Sequence, residues 1–164
     1  MDMKVIDAHL HLFPTSDLQA EEMAQGVGHH NSLSHLRQVY GELGIVHGVI
    51  MGNRSLEPGD HNYPPDLFHY CVGLDTSLLE SGRRAPSDLP DQVEAHLQRE
   101  SCCGVKLYPG YNKIWLSDSL YEPIYDLAAR YDKPVAVHTG FTATASAHLK
   151  YCHPMVLDEG AAGH

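Results

Sequence analysis

Long apolar runs are missing from this chain of 164 residues. None approaches the ~18 residues that a membrane-spanning helix requires, and the N-terminus lacks the charge and apolar pattern of a signal peptide. Positive charge is scarce: 11 Lys and Arg stand against 21 Asp and Glu, a formal net charge of −10 at pH 7. That balance argues against an electrostatic nucleic-acid binder. Cysteine is sparse, and the four at positions 71, 102, 103 and 152 lack the spacing of a zinc ribbon or a disulfide framework. They read as reduced thiols of a cytoplasmic protein, with adjacent Cys102 and Cys103 as core and surface neighbours rather than a redox pair. No Gly-x-Gly-x-x-Gly follows the first strand and no Gly-x-x-x-x-Gly-Lys occurs, so nucleotide binding has no support. Internal repeats and low-complexity segments are absent as well.

What is there suits a soluble globular protein, 43% hydrophobic and 20% charged, with residues 1–164 expected to form one domain with a proper core. Val5 to Leu12 reads as a strand, and residues 14 to 31 as a long polar loop. Leu33, Leu36, Val39, Tyr40 and Leu43 have helical spacing, with Gly44 placed as a C-terminal cap. Ile45 to Met51 is a second strand, residues 52 to 66 a loop with at most one helical turn, and Phe68 to Leu74 a third strand. Thr76 to Leu89 is loop-like. Asp91 to Arg99 is a short helix burying Val93 and Leu97, with Pro90 suited to its first turn. Gly104 to Tyr108 is the fourth strand, stopped by Pro109-Gly110. Leu120, Ile124, Leu127, Ala128 and Tyr131 define the clearest helix, with Ser119 and Glu122 as a candidate capping box. Pro134 to His138 is the fifth strand, and Met155 to Glu159 begins a last helix. Strands alternating with helices imply right-handed crossovers and a parallel sheet, either a barrel or a doubly wound sheet.

Candidate functional residues collect where these strands end, which is where parallel α/β architectures gather their chemistry. His9 and His11 are two apart on the first strand and therefore share a face, where two imidazoles can hold one metal ion. A chance pair on a half-exposed strand is the alternative. On the fourth strand Gly104, Lys106 and Tyr108 share a face, and on the fifth Ala136 and His138 do, so a tiny residue sits beneath each functional candidate. Lys106, flanked by Val105 and Leu107, must find a partner or reach water; a lysine snorkelling at a strand end is the other reading. His138 is either a metal ligand or a core histidine bonded to backbone. His9, His11 and His138 together offer three nitrogen ligands with an open position, the count of a catalytic zinc-type site. Asp7 is assigned a supporting role, as a hydrogen-bond partner behind the ligands or of the backbone.

The runs Ile6-Asp7-Ala8-His9-Leu10-His11, Gly104-Val105-Lys106-Leu107-Tyr108-Pro109 and Pro134-Val135-Ala136-Val137-His138-Thr139-Gly140 resemble the amidohydrolase superfamily. More narrowly they resemble its amidohydrolase-related branch of TIM-barrel metal-dependent hydrolases and decarboxylases. Leu149-Lys150-Tyr151, Pro154 and Leu157-Asp158-Glu159 fit that branch too, where they precede the sixth strand. The resemblance implies an α/β fold, an incomplete TIM-type (β/α)8 barrel of about five parallel strands with flanking helices. It implies that His9, His11 and His138 bind one divalent metal ion, expected to be Zn2+. The family completes its site with a histidine after the sixth strand and an aspartate after the eighth, which this chain does not reach. A full barrel takes about 250 residues, so the chain is expected to be the N-terminal five-eighths of one. Some relatives carry a carbamylated lysine on the fourth strand; Lys106 is kept as a catalytic-site residue, with carbamylation not asserted.

The expected activity is metal-dependent hydrolysis of a C–N bond in a small-molecule substrate. Non-oxidative decarboxylation of a carboxylated small molecule is the alternative, and a non-catalytic, self-associating fragment is a third reading. Tyr108 and Tyr111, after the fourth strand, are candidate substrate contacts or else surface tyrosines. No nucleic acid and no membrane is expected as a partner; a homo-oligomer is.

Overall fold

The computed structural model describes residues 3–14, 16–52, 55–74, 86–141 and 147–161. Strand β1 (Val5–Leu10) leads into helices α1 (Leu18–Gly26) and α2 (Leu33–Leu43), strand β2 (Ile45–Met51), a 3-10 turn (Pro58–His61) and strand β3 (Phe68–Gly73). Helix α3 (Leu89–Leu97), strand β4 (Cys102–Leu107), the single-turn α4 (Pro109–Asn112), helix α5 (Glu122–Arg130) and strand β5 (Val135–Val137) follow. A second 3-10 turn (Leu149–Tyr151) and helix α6 (Val156–Ala161) end the described chain. The strands are ordered β1-β2-β3-β4-β5, and the pairs β1–β2, β3–β4 and β4–β5 are parallel. Parallel strands in strict sequence order, with helices between them, are the construction of a TIM-type barrel. The fold class is the expected one, an incomplete barrel of five strands.

The chain forms two compact units, Met1–Ile50 with Tyr63–His69, and Met51–Asn62 with Tyr70–His164. In the first, the expected helix is α2. Ser32 Oγ caps its start by accepting from the His35 N–H at 3.2 Å. Gly44 ends it in the left-handed region, φ 70°, where its N–H bonds the Tyr40 and Gly41 carbonyls. Tyr40, Ile50, Leu67 and Phe68 are buried, with the Tyr40 and Phe68 rings edge to face at 6.3 Å. A Cβ on Gly48 of β2 would stand 2.9 Å from both Leu10 Cδ2 and the Tyr40 hydroxyl, so only glycine lets the strand come this close to them.

The expectation of a continuous loop over 14 to 31 is wrong. Residues Leu18–Gly26 are helical, started by Asp17, whose Oδ1 accepts from the Ala20 N–H at 3.0 Å. Ala20 is the one residue of this helix that is buried. An almost wholly solvated helix has no apolar stripe to betray it; the cap residue and the Ala- and Glu-rich run were the available signals.

In the second unit, Tyr70, Val72 and Leu74 of the third-strand segment are buried with Val93 and Leu97 of α3, Val105 and Leu107 of β4, and Ile124 of α5. Helix α3 packs against β4 and α5, with Pro90 in its first turn. His96, fully buried, is satisfied on both sides: Nε2 donates to the Leu56 carbonyl at 2.9 Å and Nδ1 accepts from the Tyr70 hydroxyl at 2.9 Å. Strand β4 begins at Cys102, two residues earlier than expected. The proposed capping box of Ser119 and Glu122 does not form. The cap position of α5 is Tyr121, without a side-chain cap bond, and Asp118 Oδ1 accepts from the Leu120 N–H at 3.0 Å in the turn before it. Pro123, which has no N–H to give, sits in the first turn and sets the start. Of the loop expected over 76 to 89, residues 76–85 lie outside the described residues; so do 142–146 and 162–164 toward the end of the chain.

Candidate active site

Strand β1 brings His9 and His11 to its carboxyl end. Both are exposed, and their rings meet edge to face with centroids 5.3 Å apart; β1 ends at Leu10 and its register shifts between Asp7 and Leu10, so His11 lies just past the strand and simple alternation is not what brings the two rings together. Asp7, one pleat back, joins the two elements around it. Its Oδ1 accepts from the His9 backbone N–H at 3.1 Å, and its Oδ2 accepts from the Tyr40 hydroxyl at 2.9 Å. The first of these is the backbone role expected for Asp7. The second escaped sequence reasoning because Tyr40 falls on the apolar stripe of α2 and looks like core; it is core, with a polar tip that finds a carboxylate. Burial, then the Asp7 bond, pushes the Tyr40 hydroxyl well above the usual tyrosine range.

The second unit gathers the other candidates where β4 and β5 end. Lys106 is 2% exposed and does not snorkel; its Nζ lies 5.3 Å from the centroid of the Tyr108 ring, a cation–π contact in a site largely withdrawn from water. Burial lowers its pKa, and the nearby Cys71 sulphur works against that shift. Among the described residues no carboxylate pairs with this ammonium. Tyr108, buried rather than a surface tyrosine, donates its hydroxyl to the Met51 carbonyl at 3.4 Å and is pushed up by burial first, then by Tyr111. His138 lies near-parallel to the Tyr108 ring at 6.0 Å and steeply inclined to the half-buried Tyr111 ring at 5.9 Å. Its backbone N–H extends the ladder to the Leu107 carbonyl at 2.9 Å, which fixes where the ring emerges. Lys106, Tyr108, Tyr111 and His138, four side chains singled out in the sequence, therefore form one group.

The glycine beneath Lys106 has a steric reason in the sheet itself. A Cβ on Gly104 would stand 2.6 Å from the Pro134 carbonyl oxygen and 3.1 Å from Cys71 Sγ. Glycine is there because β5 enters close against β4.

The residues present fit parts of a metal centre. A tetrahedral ion bound at about 2.0–2.1 Å by two imidazole nitrogens holds their ring centroids about 5 Å apart, and those of His9 and His11 are at 5.3 Å. His138 Nε2 donates to the Phe141 carbonyl at 3.1 Å, which leaves Nδ1 as the lone-pair nitrogen of the neutral ring; metal-bound histidines commonly tie back their second nitrogen to a carbonyl in this way. Among the described residues, no three His, Cys, Asp or Glu side chains are grouped so as to hold a metal ion.

A family model described as amidohydrolase matches residues 78–160. The matched stretch is half of the chain and contains Lys106, Tyr108, Tyr111 and His138, while His9 and His11 precede it. Nothing among curated proteins and no solved structure matches the chain. No described helix is long and apolar enough to cross a membrane. Five parallel strands in sequence order, a polar group at their carboxyl ends and the family match converge: the chain belongs to the amidohydrolase family, whose members are hydrolase-type enzymes that generally bind metal ions.

Proposed function

We propose that the protein is a metal-dependent amidohydrolase-type hydrolase acting on a C–N bond of a small-molecule substrate. The observation that carries this reading is the grouping of buried Lys106 with Tyr108, Tyr111 and His138 at the ends of β4 and β5, in a chain of this family. His9, His11 and His138 are the residues that would hold one divalent metal, Zn2+ in our reading. When bound, that ion supplies Lewis-acid activation of water near neutral pH.

The chain's own side chains do the rest. Lys106 keeps a cation in a dry setting, where an anionic or carbonyl group of the substrate meets little competition from solvent. Tyr108 holds that ammonium against its ring face and limits where it can point. Tyr111, half-buried beside His138, offers substrate an aromatic edge and a hydroxyl. The buried Lys106 ammonium also suits a carboxylated substrate, and this favours non-oxidative decarboxylation as the second reading.

The test is metal content per chain for the wild type and His138→Ala, with turnover of a panel of small amides and aromatic carboxylates by the zinc-loaded protein. About one metal per chain, lost in the variant, with amine released from an amide, is the expected result. Carbon dioxide release without amine release transfers the case to the decarboxylase. Failure to bind zinc, manganese or any other divalent ion overturns the metal-dependent reading.

A further inference from the structure

The thiols of Cys71 on β3 and Cys103 on β4 stand 3.9 Å apart, a pairing that the spacing of the cysteines in the chain does not suggest. It arises from an irregularity of the sheet. Tyr70 pairs with Cys102, but the next residue, Cys71, pairs with Gly104. One residue of β4, Cys103, is therefore extra, and a bulge of this kind sets two residues against one. The result brings Cys103 and Gly104 together against Cys71, whose sulphur is also 3.1 Å from where a Gly104 Cβ would be. The two sulphurs, now 3.9 Å apart, must close to about 2.05 Å to bond.

The two thiols are unequal. Cys71 is 3% exposed while Cys103 is half-buried. Their shared hydrogen bond, with burial adding to it, raises the Cys71 thiol above the usual range. The same bond lowers Cys103 against the opposing effect of burial. Cys103 is thus both the more accessible sulphur and the one whose thiol is lowered, and the thiolate is the reactive form. The other two cysteines face elsewhere: Cys102 donates to the Gly104 carbonyl at 3.4 Å and Cys152 to the Gly140 carbonyl at 3.4 Å.

We propose that Cys71 and Cys103 form a reversible disulfide modification site, with hydrogen peroxide as the oxidant. The Cys103 thiolate attacks one peroxide oxygen; an S–O bond forms, the O–O bond breaks, and hydroxide leaves and takes up a proton as water. The Cys71 sulphur then loses its proton and attacks Cys103; the S–S bond forms, the S–O bond breaks, and the second oxygen leaves as water. Two thiols are oxidised and one peroxide is reduced to two waters. Cys71 is set against Gly104, two residues before Lys106 on β4, so the modification falls beside the strand that carries Lys106.

The experiment treats the full chain with hydrogen peroxide at neutral pH and maps its peptides by mass without reduction. The expected product has lost two hydrogens, joins the Cys71 and Cys103 peptides, and reverts with dithiothreitol; Cys152→Ser gives the same product and Cys103→Ser gives none. Without oxidant, iodoacetamide should alkylate Cys103 roughly tenfold faster than Cys71 or Cys102. A bridge through Cys102 or Cys152, over-oxidation of Cys103 with Cys71 left as a thiol, or slow alkylation of Cys103 in the wild-type chain would each overturn the proposal.

Discussion

The Tyr40 hydroxyl donates to Asp7 Oδ2 at 2.9 Å, while Asp7 Oδ1 accepts from the His9 N–H at 3.1 Å. One carboxylate thereby ties helix α2 to the strand end that presents His9 and His11. Removing the hydroxyl leaves a half-buried carboxylate short of one donor. Tyr40→Phe is expected to lower stability by about 1–2 kcal/mol, since a hydrogen bond to a charged group is worth somewhat more than a neutral one. Urea midpoints at equal slope check it. The same variant is expected to weaken zinc binding, because Asp7 no longer has a fixed orientation. Zinc affinity equal to that of the wild type would separate Asp7 from the metal site.

Lys106 presents a second case, in which stability and function pull apart. A buried ammonium that finds no carboxylate among the described residues costs stability, and Lys106→Met is expected to gain about 1–3 kcal/mol while abolishing turnover. The pH dependence carries a sign. Burial lowers the folded pKa, so between that value and about 10.4, the ordinary lysine pKa, the unfolded chain binds more protons. Stability therefore rises with pH across this window in the wild type. That rise should be missing from the Met variant in matched urea melts.

Tyrosines give the opposite slope at higher pH. Burial holds the Tyr121 hydroxyl well above its usual range and pushes Tyr125 up to about 12. Once pH passes about 10, the ordinary tyrosine value, the unfolded chain loses protons that the folded chain keeps. Stability should fall from there as pH rises toward the folded values. Tyrosinate absorbance followed beside urea melts tests this: ionisation of these residues should come with unfolding, not before it.

Gly104→Ala is expected to destabilise by about 1–3 kcal/mol, the usual cost of overpacking. The added methyl meets the Pro134 carbonyl at 2.6 Å, and backbone cannot swing aside as a side chain does. Gly59→Ala, where nothing lies within 4 Å, is the matched control. Equal melting of the two variants would show that β5 is not held close against β4.

The placement of strands, the helix over 33 to 43 with its Gly44 cap, and the burial of Val93 and Leu97 were legible because period and punctuation are local. The polar helix α1 was not, since nearly all of it faces water and it leaves no periodic trace. The start of α5 was misplaced because a local Ser–Glu pattern competes with Pro123, and the proline's missing N–H prevails.

The site divides along the same line. Sequence by itself determined that Lys106, Tyr108 and His138 fall at strand ends and Tyr111 just beyond one, because alternation along a strand and a stop signal at its end are properties of neighbouring residues. Only tertiary structure decided that Lys106 rests over the Tyr108 ring, that Tyr40 reaches Asp7 across 33 positions, and that a register shift brings Cys103 to Cys71 across 32. Those contacts depend on how one strand is set against the next and on which helix covers it. Such register is a balance of packing and hydrogen bonding over the whole sheet, and no short stretch of the chain contains it.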